Sequence, residues 1–335
     1  RERILPALDR SIEWTKKASS TRYFPIAGID HARALASLER FREILSNSAT
    51  AEAFDARVER EFQVYKSAGW DGRGGGVLFT GYCTPIMDGS RERTEVYKYP
   101  LYGLPPDLAK DKDGAILGRK AADGSLSDYP DRGTIESSGL LAGQGLELAW
   151  LKDPFDAYIA QVQGSVIVRM QDGSELRLGY AGNNGREYTS VRNELIRDGK
   201  LRDDEASLTS MRAWAAEHPK EASKYMARNE RYVFFTPIEG NPRGSLNVEV
   251  TAERSLATDK TLFPRGAVTF VDTRLGGAGT RTGRSFSKFM LDQDTGGAIR
   301  TAGRADIYLG IGATAERQAG ATKAEGQLYY LFLKA

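Results

Sequence analysis

Apolar residues recur three and four positions apart over the first 70 residues and then change to short alternating runs, so the pattern predicts helices first and strands afterwards. Leu35, Leu38, Phe41 and Leu45 form one helical stripe behind Asp30, whose side chain suits an N-cap. Phe54, Val58, Phe62 and Tyr65 form a second behind Thr50. The glycine-rich run Gly72-Arg73-Gly74-Gly75-Gly76 ends this regime, and strands are predicted at Val77 to Tyr82 and Tyr97 to Tyr102. Pro105 to Gly133, polar and rich in Gly and Asp, reads as a loop or hairpin region that leads into a second domain. Ala157 to Ser165 reads as a strand, followed by a hairpin of Val166 to Met170 and Leu176 to Tyr180 across Asp172-Gly173. Helices are predicted over Ser190 to Arg197 and Ser207 to Glu217, and a buried strand at Tyr232 to Phe235. After Pro242, strands resume at Leu246 to Val250, Ala267 to Val271, Phe286 to Leu291, Ile307 to Leu309 and Leu328 to Leu333.

Composition narrows the chemistry. A length of 335 residues suits two domains with a sizeable core. The single cysteine, Cys83, excludes an internal disulfide and a cysteine-based zinc site. His31 and His218 both fall in predicted helices among charged neighbours, which argues against a Ser-His-Asp triad and a multi-histidine metal site. Carboxylate chemistry is what remains, with no metal and no cofactor expected. Two motif-like stretches do not change this. Gly310-Ile311-Gly312 lacks the room for a complete dinucleotide-binding unit, and Asp292-Gln293-Asp294 has Gly303 where a calcium loop needs a bidentate Glu. A formal charge of +2 gives no nucleic-acid footprint. No apolar run of about eighteen residues occurs, and the sequence opens at Arg1 with neither a Met nor a charged-then-apolar leader. It reads as a mature or trimmed soluble portion whose localisation stays open.

The chemistry concentrates in Phe289 to Ile299 and Gly303 to Gly312, which place Asp294 and Asp306 at the ends of short apolar strands with Gly296-Gly297 between them. Taken alone, Asp294 before Thr-Gly-Gly reads equally as a turn residue capping its own backbone. Further pieces accompany the pair: Phe79-Thr80-Gly81-Tyr82, Tyr99-Pro100-Leu101-Tyr102, Val162-Gln163-Gly164-Ser165, Tyr180-Ala181-Gly182-Asn183-Asn184-Gly185, Tyr188-Thr189-Ser190, Leu195-Ile196-Arg197-Asp198-Gly199 and Val233-Phe234-Phe235. In this order and at these separations they resemble the membrane-bound lytic murein transglycosylase A family. The chain departs from the family pattern at Cys83 (Tyr), Val166 (Gly), Arg192 (Gly) and Arg304-Ala305 (His-Phe).

The resemblance implies a mainly β fold with N-terminal helices. A double-psi β-barrel domain is built from both chain ends (1–103 and 236–335), a β-rich substrate-binding domain is inserted at 104–235, and the substrate groove lies between them. It implies a lytic transglycosylase that cleaves the β-1,4 bond between N-acetylmuramic acid and N-acetylglucosamine and leaves 1,6-anhydromuramoyl ends. Such an enzyme needs one acid/base, because the muramoyl C6 hydroxyl is itself the nucleophile. That acid must stay protonated near neutral pH, through burial or a neighbouring negative charge. The residues leave the choice between Asp306 and Asp294 open, and the family analogy selects Asp306. Asp156, beside Pro154, is a third carboxylate that also reads as a surface residue.

Gln163, Gly164 and Ser165 suit recognition of N-acetyl and hydroxyl groups but read equally as a plain strand end. Thr80, Tyr82, Tyr180, Asn184 and Tyr188 complete the expected substrate contacts, although each tyrosine alone reads first as a core aromatic. The expected partners are peptidoglycan glycan strands and other cell-wall enzymes, with no nucleic acid. A monomer is expected, in the periplasm, with an outer-membrane lipid anchor in the full-length form. Two other classes stay in play: a noncatalytic polysaccharide-binding, wall-loosening module and a two-carboxylate glycoside hydrolase.

Overall fold

The computed structural model describes residues 3–111, 114–276 and 283–335, and divides into two compact units. One comprises Arg1–Cys83, Arg243–Gly310 and Gln318–Ala335, and the other Thr84–Pro242 and Ile311–Arg317.

The first unit contains a closed six-stranded barrel. Its strands run in the order Val77–Thr84, Lys323–Leu333, Val268–Leu275, Arg284–Asp294, Ser255–Ala257, Arg304–Ile311, and back to Val77–Thr84. Closure depends on the length of Lys323–Leu333. Its first part, Lys323 to Gly326, pairs with Thr80 to Val77, whereas Gln327 to Tyr330 pairs with Asp272 to Thr269. Sharing one strand between two neighbours removes the free edges that an open sheet would present. Ser255–Ala257 is antiparallel to Arg304–Ile311 and parallel to Arg284–Asp294.

Helices Leu5–Thr15, His31–Asn47 and Ala51–Glu61 bury their apolar stripes against this barrel. The predicted caps are present: Asp30 accepts from the Arg33 amide at 2.7 Å and Thr50 from the Ala53 amide at 3.2 Å. Phe41 is fully buried and meets Phe289 of the barrel edge-on, with ring centroids 5.2 Å apart. The fully buried Gln293 donates to the Ala7 carbonyl at 2.7 Å and to the Ser11 hydroxyl at 2.9 Å, tying the first helix to the barrel. The second helical stripe stops short of its prediction. Phe62–Lys66 is a strand antiparallel to Lys66's partner segment Tyr329–Leu333, since pairing along that edge outweighs the continuing helical pattern. Leu246 to Val250 is likewise not a strand. It is a turn region with one isolated bridge, Arg243 to Glu249, and Asn247 at positive φ.

The second unit carries a six-stranded sheet in the order Val233–Pro237, Glu175–Asn183, Ser165–Met170, Ile86–Ser90, Glu147–Leu151, Tyr99–Tyr102. Because Ile86–Ser90 and Tyr99–Tyr102 pair inside this sheet, the boundary expected after 103 falls instead between Cys83 and Thr84. At the other end, the Ile238 amide bonds the Arg177 carbonyl at 2.9 Å and keeps the chain in this unit as far as Pro242. The Pro105 to Gly133 region, apart from 112 and 113, which lie outside the described residues, carries a small three-stranded sheet of Leu108–Lys110, Ile116–Lys120 and Leu126–Ser127.

The strand expected over Ala157 to Ser165 is a helix, Pro154–Gln163. Asp153 caps it by accepting from the Phe155 amide, Pro154 occupies its first turn, and Gly164 ends it at φ 76°. Phe155, Tyr158 and Ile159 lie on the buried face, a helical spacing that the strand-like composition of Tyr-Ile-Ala-Gln-Val masked. Helices Val191–Arg197 and Leu208–Glu217 start at the caps Ser190 and Ser207, and Pro219–Arg228, not predicted, follows at once.

The largest fully buried side chain of this unit belongs to Arg132. Its guanidinium donates to the carbonyls of Asn229 at 3.1 Å and Arg231 at 2.7 Å and to the Gln161 amide oxygen at 2.7 Å. It lies 4.9 Å from the Tyr158 ring centre and 5.0 Å from that of Tyr232, so a charge taken out of water is met on every side by acceptors and ring faces.

Candidate active site

The barrel positions Asp294 and Asp306 on either side of one residue. Ala257 pairs with Asp306 on one neighbouring strand and with Asp294 on the other. Two interstrand spacings set the two backbones about 10 Å apart.

The strand Val77–Thr84 supplies a hydroxyl to each carboxylate. Thr80 and Tyr82, two positions apart, share a face of that strand. Thr80 donates to Oδ1 of Asp306, and Tyr82 donates to Oδ2 of Asp294 at 2.8 Å. The Tyr82 ring also leans on Tyr308, with centroids 5.2 Å apart.

Asp294 is held more fully. Its Oδ1 accepts from the backbone amides of Ser245 at 2.7 Å and Thr295 at 2.8 Å. The turn reading is therefore realised at Oδ1, which accepts from local backbone, while Oδ2 holds Tyr82. The Ser245 turn comes so close that a Cβ on Gly244 would lie 2.6 Å from the Gln293 carbonyl, so glycine is required there.

Asp306 is held on one oxygen only. Arg304, two positions before it on the same strand and hence on the same face, donates from Nη2 to Oδ1 at 3.2 Å and to the Thr80 hydroxyl at 3.1 Å. No hydrogen bond from the described residues reaches Oδ2, and no buried side-chain polar atom among them lacks a partner, so Oδ2 keeps some exposure. The Asp306 side chain as a whole is 17% exposed.

Burial pushes the pKa of Asp306 above the usual carboxylate range, against the opposing pull of Arg304 and the Thr80 hydroxyl. Burial also raises Asp294, opposed by Tyr82, the Thr295 and Ser245 amides and Lys260. Of the two causes expected for a protonated acid, burial is therefore the one that acts at Asp306. Tyr82 is raised well above its ordinary value by burial and by Asp294, so it remains a protonated donor. The site thus offers one carboxyl whose protonated form is favoured by burial and whose Oδ2 has no partner among the described residues, beside a second carboxyl engaged in holding structure.

The remaining predicted residues lie in the second unit. Asp156 sits in the first turn of Pro154–Gln163 and binds the Arg212 guanidinium at 2.9 Å, with its pKa raised by burial. Gln163 ends that helix and Gly164 caps it, while Ser165 opens the next strand, buried, with its hydroxyl 2.9 Å from that of Thr84. Tyr180 is exposed and its hydroxyl accepts from Asn183. Tyr188 is half-buried. Asn184 does not fit a binding role. It is buried, donates to the carbonyls of Pro130 at 2.9 Å and Glu230 at 2.8 Å, and accepts from the Tyr232 amide at 2.8 Å, so its polar atoms serve the backbone. Sequence reasoning saw Arg304 only as a departure from a pattern; the alternation Arg304-x-Asp306 in a strand was the signal that put it on the Asp306 face.

Two family models match consecutive parts of the chain. The MltA specific insert domain model matches residues 78–236 and the 3D domain model residues 254–332. The membrane-bound lytic murein transglycosylase A of Escherichia coli (strain K12) is 31% identical over 283 residues, which is 83% of this chain and 72% of that protein. That of Vibrio cholerae is 31% identical over 264 residues, 78% of this chain and 66% of the relative. Among solved structures, the membrane-bound lytic murein transglycosylase from Agrobacterium tumefaciens superposes with a TM-score of 0.83 at 26% identity, covering 99% of this chain and 92% of that one. E. coli MltA with bound chitohexaose superposes with a TM-score of 0.75 at 26% identity, covering 98% of this chain and 89% of that one.

Proposed function

Because the chain belongs to the membrane-bound lytic murein transglycosylase A family, we propose that it is a peptidoglycan lytic transglycosylase in which Asp306 is the single acid/base. The observation that supports this assignment is the asymmetry of the two carboxyls. Asp294 has both oxygens engaged, whereas Asp306 has no hydrogen bond from the described residues at Oδ2 and is raised by burial above the usual carboxylate range.

In the first step the Asp306 proton passes to the departing O4 as the C1–O4 bond of the muramoyl residue breaks. In the second, the C6 hydroxyl closes on C1 and its proton returns to Asp306, which regenerates the acid and leaves the 1,6-anhydro end. No water is consumed and no second carboxylate takes a covalent role. The substrate is the β-1,4 N-acetylhexosamine strand of peptidoglycan. Chitohexaose bound to the E. coli relative supports a groove suited to such a backbone. Glycan contacts are assigned to Gln163, Gly164, Ser165, Tyr180 and Tyr188, with Asp156 a lesser support, and the protein is placed in the periplasm as a monomer, with a lipid anchor in the full-length form.

Incubation with purified sacculi, followed by mass analysis of the soluble products, tests the reading. Anhydro ends are expected. Reducing ends would indicate a two-carboxylate hydrolase, and no release would indicate a wall-binding module.

Asp294→Asn is expected to lower kcat about tenfold without abolishing it. The amide substituted at Oδ2 presents a donor to the Tyr82 hydroxyl, and loss of one hydrogen bond to a charged acceptor corresponds to roughly that factor. The basic limb of the pH profile should stay in place, since burial rather than Asp294 raises Asp306. An unaltered kcat would reduce Asp294 to a turn former.

A further inference from the structure

The assignment of Asp306 as the acid leaves one charge beside it without a role. Arg304 projects from the same strand face, one Nη2 bridging Oδ1 of Asp306 and the Thr80 hydroxyl, while Thr80 itself donates to Oδ1. Two donors thus meet one oxygen. A carboxyl with a donor on each oxygen has its proton competing with both, whereas one clamped by two donors at Oδ1 leaves Oδ2 as the oxygen available to a proton.

We propose that Arg304 is a positioning residue for the proton transfer: with Thr80 it fixes Oδ1 of Asp306, makes Oδ2 the oxygen through which the proton leaves and returns, and sets the upper pH limit of the reaction. The proposal rests on Asp306 being the acid. In the first step Oδ2–H gives its proton to O4 and the carboxylate formed is stabilised at Oδ1 by the guanidinium. In the second, Oδ2 receives the proton of the C6 hydroxyl as O6 bonds to C1. The same contact that stabilises the carboxylate for the base step opposes the protonated form needed for the acid step, so Arg304 balances the two.

Other groups around Asp306 do not supply this. Thr80 on Val77–Thr84 is neutral, Tyr82 on that strand stays protonated and is bonded to Asp294, Tyr308 on the Asp306 strand packs its ring on Tyr82, and Asp294 lies across Ser255–Ala257 with both oxygens engaged. Lys260, which acts on Asp294, is bonded to Asp292 and the Thr258 hydroxyl.

The test compares wild type, Arg304→Gln and Arg304→Lys by the pH profile of anhydromuropeptide release and by carbon-13 titration of the Asp306 carboxyl in substrate-free protein, with thermal melting to confirm folding. The Asp306 signal is identified by its absence from Asp306→Asn. Removing the guanidinium should move the carboxyl titration and the basic limb of kcat/KM upward by about one pH unit. The Lys variant keeps the charge but not the planar donor, so its limb should stay near wild type while kcat falls several-fold. Titration that coincides in Arg304→Gln and wild type would overturn the proposal, whatever the variant's turnover. If Asp306→Asn itself keeps turnover, the acid assignment fails and this proposal with it; an inactive Asp306→Asn with an unmoved Arg304→Gln titration removes only the role of Arg304.

Discussion

Asp306→Asn is expected to lower release of anhydromuropeptides by roughly 10³-fold, the scale of a lost general acid/base, while glycan binding persists. The amide oxygen can still accept at the Oδ1 position from Thr80 and Arg304, so the local geometry is kept and only the transferable proton is removed. The same variant should melt higher than wild type at pH 7. Burial raises the pKa of Asp306 in the folded protein, so between the unfolded and folded values the folded state binds more protons, and stability falls as pH rises through that window. At neutral pH the wild-type carboxyl therefore opposes folding, and a neutral amide does not. Thermal melting from pH 4 to 8 measures this: the gap between variant and wild type should widen with pH. Turnover near that of wild type would sink the assignment, and a gap that does not change with pH would show that burial does not disfavour the charge.

Arg132→Met is expected to destabilise the protein by about 3 kcal/mol, the cost of leaving several buried acceptors without donors. The side chain is fully buried, and its loss removes the guanidinium donor from the Asn229 and Arg231 carbonyls and leaves the Gln161 amide oxygen only the Val233 amide at 3.4 Å. The stacking of the guanidinium on Tyr158 and Tyr232 is lost with it. An apolar side chain of similar length removes the desolvation penalty of a buried charge, which limits the loss rather than reversing it. The change corresponds to a fall in Tm of roughly 10 °C. Denaturant unfolding followed by tryptophan fluorescence gives the free-energy change; a loss below about 1 kcal/mol would mean that the carbonyls find other donors.

Local signals in the chain were sufficient for much of this fold. Asp30, Thr50, Ser190 and Ser207 mark helix starts because a short polar side chain meets its own backbone two or three residues later, an interaction contained in the segment itself. The hairpin across Asp172-Gly173 is local in the same sense: Gly173 adopts φ 84° and Asp172 accepts from the Ser174 amide. Asp294 was legible as a strand-end carboxylate, whereas Asp306, expected at a strand end, lies inside Arg304–Ile311; their motif context, read over the whole chain, carried the family.

Contacts between distant segments decided the rest. Phe62–Lys66 continues a helical pattern, yet it becomes a strand because Tyr329–Leu333 offers a pairing edge more than 260 positions along the chain. Pro154–Gln163 has the composition of a strand but buries a helical face, and the boundary before Thr84 follows from which strands Ile86–Ser90 and Tyr99–Tyr102 pair with. Asn184 looked like a sugar ligand and is a backbone clamp, since its three partners come from segments 46 to 54 positions away. The chain alone determined that two carboxylates would stand on successive strand segments, Asp294 at a strand end. Only the closed barrel decided which of them keeps an oxygen free, because Thr80 and Tyr82 reach Asp306 and Asp294 across 226 and 212 positions and hydrogen-bond valence is assigned where strands meet in space.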